Sequence, residues 1–361
     1  VAFVRLLADR TFYVIDFRYH LVSIVAVFLA LAVGIVLGST ELRGAALSAL
    51  DQTSNALSSK LNAADNENSA LQQQVNGDRS FAQAAEPVLL AHLLEGKRVV
   101  VVTAPGAPNS VVSGITTALR DAGATVSGQI ALSAKFADTS ASNLSLLSQL
   151  TQKVAPAGLT LANGTPQQQA AQVLASALVS SGSSASSGSG SGGSAGSGGS
   201  ADSGSQAAQT ILSSYSAGQF ITVSGQPAQG ATLAAIVTPA TAPSDGNADP
   251  ANQAIVSLAQ EFGSGSAATV VAGPYDASGP GSAISAVRSS GAADDASTVD
   301  NADQVSGQIV VIQALEQQMN GHKPGDYGIQ SDAKSVGPSP APTPSVSPSV
   351  STRTASAKGK K

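Results

Sequence analysis

Three histidines are the chain's only imidazoles, and their spacing limits the chemistry it could do. His20, His92 and His322 stand far apart, so no pair has the short spacing of a zinc or facial-triad iron site. A serine–histidine–acid triad would have to recruit His92 or His322, and no Gly-x-Ser-x-Gly turn stands where a strand ends. Cysteine is absent and methionine occurs once, as Met319, so the sulfur ligands that copper(I) prefers reduce to one thioether. Asp294, Asp295, Asp300 and Asp303 cluster in sequence. They could hold a hard cation, although a solvated acidic loop with Asp303 capping the next helix is the commoner arrangement. The loop Thr103-Ala-Pro-Gly-Ala-Pro-Asn109 follows a strand-like run, the place where open α/β sheets bind ligands, yet such loops more often only connect. A net charge of −5 and 4% aromatic residues argue against nucleic acid as a partner. The expectation is a protein that is not an enzyme, with no catalytic or cofactor-binding residue and its metal ligands, if any, unassigned.

The elements that would position any such groups begin with residues 21–38, LVSIVAVFLALAVGIVLG, an uncharged apolar run. As a helix it spans ~27 Å at ~1.5 Å per residue, enough for a hydrocarbon core of ~30 Å. A signal peptide has a shorter apolar core and a small-residue cleavage site, so an uncleaved anchor is expected, although cleavage near Arg43-Gly44-Ala45-Ala46 is the alternative. Arg5, Arg10 and Arg18 precede the span and Arg43 alone follows closely, which places residues 1–20 in the cytoplasm and the body outside. The opening Val1 would fit a non-standard initiation codon, and Val14 is expected to serve equally well as a start.

Ala26, Ala30, Gly34 and Gly38 recur at four-residue spacing within the span and form a ridge of small side chains, including a GxxxG match. Behind it, residues 40–86 read as a coiled-coil stalk. One heptad position holds Leu50, Leu57, Ala64 and Leu71, and the other holds Leu47, Ser54, Leu61, Asn68 and Val75. Asn68 would fix register at some cost in stability. The alternative is a single amphipathic helix lying on its own domain. The reading preferred is a homodimer joined through anchor and stalk, with Pro87 ending or kinking the helix.

From residue 95 to 330 the pattern becomes α/β: an open, mostly parallel, Rossmann-like sheet with helices on its faces. Strands are predicted at 97–103, 125–132, 220–223, 233–237, 267–272 and 298–299, with helices at 109–121, 250–262, 283–290 and 305–319. Asn109 or Ser110 should cap the first helix, with Gly123 just past its end. Residues 180–205 are almost wholly serine, glycine and alanine and read as a disordered insertion. Its GxGxxG match carries no weight, because no strand precedes it. Residues 335–361 read as a disordered Pro/Ser tail ending in Lys358, Lys360 and Lys361.

The run Ile15-Asp-Phe-Arg-Tyr-His-Leu-Val-Ser-Ile-Val-Ala-Val-Phe-Leu-Ala-Leu-Ala-Val-Gly-Ile-Val-Leu-Gly38 resembles the N-terminal signature of the bacterial MctB family, usually labelled copper transporter. The resemblance continues more loosely through the stalk, the Arg98–Thr103 strand, Thr298–Asp303 and Tyr327-Gly328, while the serine/glycine insertion and the long tail depart from it. It implies a role in copper homeostasis, with copper as a transported or sensed ion and with a channel in an outer membrane proposed for members. Work on relatives also implies a membrane-anchored partner in cell-wall septation, acting with a cytoplasmic protein and a cell-wall hydrolase. The residues themselves fit a dimeric scaffold in the cell membrane, since the lone anchor has no polar face to line a pore.

Overall fold

The computed structural model describes residues 12–180, 199–227, 230–240 and 248–340. Compactness divides the chain into residues 1–77 and 78–361. One helix, α1 (Phe12–Leu90), crosses that division and carries both the apolar span and the heptad region without a break. Pro87 lies inside α1 instead of ending it. Its missing N–H frees the carbonyl of Gln83, an exposed position where water can take the bond, and Leu90 beyond it is fully buried and holds the last turn in place.

The second unit is a seven-stranded sheet of β1 (Arg98–Thr103), β2 (Thr125–Leu132), β3 (Ile221–Gly225), β4 (Leu233–Val237), β5 (Ala268–Ala272), β6 (Ser297–Val299) and β7 (Asp326–Tyr327), in the order β3-β2-β1-β4-β5-β6-β7. Every pairing is parallel except β2 with β3, so the sheet is mixed, with one antiparallel edge. The central strands are buried on both faces, which is why β1 reads as an unbroken valine run and β4 and β5 as Ala/Val/Ile runs. Alternation still sorts the side chains: Val99 and Val101 enter one core, Val100 and Val102 the other.

Helices α2 (Asn109–Asp121) and α9 (Val305–Met319) cover the first face together with the end of α1. The second face carries α4 (Ala141–Val154), α5 (Pro166–Leu178), α6 (Gly199–Ala217), α7 (Ala248–Gly265) and α8 (Ala283–Arg288), and the four-residue α3 (Ala134–Ala137) adds Phe136 to its core.

The predicted strands and helices from 97 to 319 are all present, with ends shifted by at most a few residues. The caps differ. α2 starts from Pro108, whose fixed extended backbone serves as N-cap with no side-chain bond, so neither Asn109 nor Ser110 has that role. Gly123 does close this helix at φ +84°, with the Ala124 N–H on the Leu119 carbonyl. Within the stretch read as a disordered insertion, residues 181–198 lie outside the described residues, whereas 199–205 form the first turns of α6 and Ser180 donates its N–H to Ala231. Of the predicted tail, 341–361 lies outside the described residues, while Ser335 accepts from the Gly328 N–H beside β7.

Candidate functional site

The sheet turns its topology between β1 and β4. From β1 the chain goes through α2 on one face to β2, and from β4 it goes through α7 on the opposite face to β5. Such a reversal leaves a crevice beyond the carboxyl ends of the strands, the position where open α/β sheets take ligands. The loop opening at Thr103 lies there, as its sequence position predicted. Its Ala104 N–H donates to the Val237 carbonyl at 2.8 Å, and Gly106, at φ +81°, turns the backbone past Pro239.

A cavity of about 450 Å³ occupies this crevice, on the α7 side of the sheet. Ala104 and Pro105 of the loop, Leu132 at the end of β2, Phe136 beyond it, Pro239 after β4 and Ile255 of α7 form its apolar walls. Ser133, Lys135, Asp138 and Asn252 are its polar members. Ser133 Oγ donates to the Gln219 carbonyl at 2.7 Å, and Asp138 accepts from the N–H and hydroxyl of Ser140 at 2.9 and 3.0 Å. Asn252 Nδ2 donates to Gly281 O at 2.8 Å. Lys135 Nζ donates to Gly218 O at 2.9 Å and lies 4.8 Å from the Phe220 ring centre. Asn143, buried behind, donates through Nδ2 to the carbonyls of both Lys135 and Asp138, which fixes the wall formed by α3. Sequence reading found the loop but gave no site role to residues 132–138 or to the start of α7; the signal available was the strand end at Leu132 followed by Ser133, a residue type that starts helices.

A second polar cluster surrounds Arg288 at the end of α8. Its guanidinium lies 3.0 Å from Asp300 and 2.7 Å from Asp332, and bonds Thr298, Ser278 and the Tyr327 carbonyl. Asp326 in turn accepts from Thr298 Oγ1 and pairs with Lys334 at 2.7 Å. All this joins protein to protein, binding the end of the sheet to the segment after β7.

The acidic cluster of the sequence is dispersed. Asp294 and Asp295 precede β6, while Asp300 and Asp303 follow it. Asp300 is fully buried against Arg288, and Asp303 accepts from the Tyr275 N–H at 3.1 Å, so α9 takes Gln304 as its N-cap in place of Asp303. Burial, with the neighbouring Asp294 charge, raises the carboxyl of Asp295 above its ordinary range. Among the described residues no three His, Cys, Asp or Glu side chains come together as a metal site. His92, in the turn after α1, faces Glu95 at 2.9 Å in an exposed pair.

The predicted membrane and stalk residues all lie on α1. Phe17–Gly38 is long and apolar enough to cross a membrane, with its side chains outward. Ala26, Ala30, Gly34 and Gly38 follow one another along an i, i+4 ridge of that helix. Among the described residues, a Cβ at Gly34 or Gly38 would meet nothing within 4 Å, so the ridge is open there. Leu47, Leu50, Leu57, Leu61, Leu71 and Val75 are between 53% and 64% exposed, with Ser54, Ala64 and Asn68 between them.

The fold and the apolar helix together define a class: an α/β domain built on a doubly wound, mixed sheet, preceded in the chain by a helix of membrane-spanning length. The chain belongs to the family described as copper transport outer membrane protein, MctB, which matches residues 14–338. It is 28% identical over 326 residues to the copper transporter MctB of Mycobacterium tuberculosis, across 89% of this chain and 98% of that protein. The copper transporter MctB of Mycobacterium leprae is 30% identical over 329 residues, with the same coverage.

Proposed function

We propose that this chain is a non-enzymatic, single-pass envelope protein that serves copper homeostasis through self-assembly in the membrane, without conducting the ion through its own fold. The N-terminus lies in the cytoplasm and the α/β domain outside, in accord with the arginines before the span. The observation that carries the reading is the row of exposed leucines from Leu47 to Leu71, apolar area that a second α1 would cover in a parallel coiled coil. The copper element rests on the relatives, each of which is named a copper transporter.

A second reading keeps the dimeric scaffold and replaces copper by cell-wall septation, with a cell-wall hydrolase as partner. What favours it is composition: no cysteine and one methionine are poor equipment for handling copper(I). Cell-associated copper in a deletion strain separates the two. Restoration is made with the intact gene and with one carrying Gly34→Leu and Gly38→Leu. Copper that rises on deletion and falls only with the intact gene supports a copper role that needs assembly. Unchanged copper alongside chained or misdivided cells overturns it in favour of the septation scaffold.

A further inference from the structure

We infer that the cavity beyond β1, β2 and β4 is a binding site for a single-chain carboxylate amphiphile, with the hydrocarbon chain inside and the carboxylate at Lys135. Volume comes first: about 450 Å³ lies within the range of small-molecule sites, and the cavity sits at the sheet's topological switch point. Its chemistry then narrows the ligand. The walls from Ala104, Leu132, Phe136, Pro239 and Ile255 offer hydrocarbon and no hydrogen bond from their side chains. Ser133 donates to the Gln219 carbonyl, Asp138 accepts from Ser140, and the Asn252 amide nitrogen donates to Gly281 O, so each of these polar members already spends a hydrogen bond on the protein. A sugar or nucleotide would bury its hydroxyls against such walls without partners, at a cost a methylene chain does not meet.

Lys135 gives the head group its sign. An ammonium carries three donors, and one goes to the Gly218 carbonyl. Asp138 on the same rim keeps its negative charge while it accepts from the Ser140 N–H and hydroxyl, and Lys135, steadied by Gly218 O and the Phe220 ring, retains two donors with which to meet a ligand carboxylate. Preorganisation supports the same reading, because Asn143 clamps the backbone at both ends of the Lys135–Asp138 segment.

The absence of cysteine makes the test clean. The full chain, in phosphatidylcholine nanodiscs, receives one thiol by Ala251→Cys on the cavity wall, or by Gln253→Cys on the exposed side of α7 as the control. Alkylation by N-ethylmaleimide is timed by mass spectrometry with decanoate or decanol present. Decanoate is expected to slow the cavity thiol about tenfold and saturably, and to leave the control thiol unaffected. Adding Lys135→Met should weaken that protection at least fivefold, and Ala137→Leu, which narrows the cavity, should abolish it. No protection, or equal protection of both thiols, overturns the site. Protection by decanol equal to that by decanoate, unmoved by Lys135→Met, overturns the carboxylate assignment.

Discussion

Arg288 and Asp300 face each other across 3.0 Å inside the fold, with side chains only 5% and 0% exposed. The guanidinium fork does more than pair with one carboxylate. Nε donates to Thr298 Oγ1 at 2.8 Å, one terminal nitrogen reaches Ser278 and Asp332, and the other reaches the Tyr327 carbonyl. Asp300 uses its second oxygen on the Ile329 N–H at 2.9 Å. Arg288→Met should therefore cost about 3–5 kcal/mol in denaturant unfolding, because it strands a buried carboxylate. The double variant Arg288→Met with Asp300→Leu should recover much of that loss, since burying two charges has its own desolvation penalty. Gly328→Ala tests the same contact from the other side: a Cβ there would clash with the Asp300 carboxylate, on a backbone at φ +142°. It should also destabilise, and an unchanged unfolding midpoint in either single variant would contradict the arrangement.

Tyr215 and Thr151 predict an alkaline limit to stability. The Tyr215 ring is fully buried, its hydroxyl lies 2.8 Å from Thr151 Oγ1, and burial pushes its pKa up to about 12, against a smaller opposing effect of that hydrogen bond. The folded state thus keeps its proton where the unfolded state loses it. This contribution is complete below the ordinary tyrosine range near ~10 and is lost as pH rises toward about 12. Tyr215→Phe should cost about 1 kcal/mol at neutral pH, since Thr151 Oγ1 still donates to the Leu147 carbonyl. The same substitution should flatten the loss of stability on the alkaline side, which unfolding curves at stepped pH would read.

Legibility in the sequence followed the strength of local pattern. The helix Val305–Met319 and the strands Thr125–Leu132 and Leu233–Val237 were readable to the residue, because apolar runs there meet plain boundaries. Between Leu132 and Phe220 nothing was assigned apart from the serine/glycine stretch, yet α4, α5 and α6 lie there. Their alanine, serine and glutamine content blurs the apolar stripe. The one clear start signal was Thr165-Pro166, where Thr165 Oγ1 accepts from the Gln168 N–H. The switch-point loop was legible from its place after β1, whereas Lys135 and Asn252 were not, because only the packed sheet brings α3 and α7 to the same crevice. Arg288 was invisible for a related reason: its partners range from Ser278 to Asp332 and meet only in three dimensions.

Glu261 and Asp295 predict a stabilising substitution. Burial raises the carboxyl of Glu261, a hydrogen bond from Gln168 partly opposes this, and the charge of Asp295 adds to the rise. Burial also raises Asp295. With folded values above unfolded ones, stability falls as pH rises through this carboxylate window, because the folded state holds the extra protons. Glu261→Gln removes the charge and keeps the shape, so its melting temperature should exceed that of the parent at neutral pH. The two should converge in acid, where Glu261 is protonated. A variant less stable than the parent at neutral pH would show that the Gln168 bond dominates.

The heptad residues predict the geometry of assembly. If two copies of α1 meet in parallel and in register, equivalent seam positions approach one another, and positions on the outer face do not. Single substitutions Leu50→Cys, Leu57→Cys and Leu61→Cys in the cysteine-free chain should then give disulfide-linked dimers in membranes under mild oxidation, whereas Ser59→Cys should remain monomeric. Gly34→Leu with Gly38→Leu should lower the yield at all three seam positions without altering the fold of a single copy, because those Cβ positions are open. Asn68→Leu should raise the yield and spread it to neighbouring positions, since the amide that would hold register has gone. Equal crosslinking at Ser59 and Leu57 in the parent would mean that chance collision, and no seam, brings the helices together.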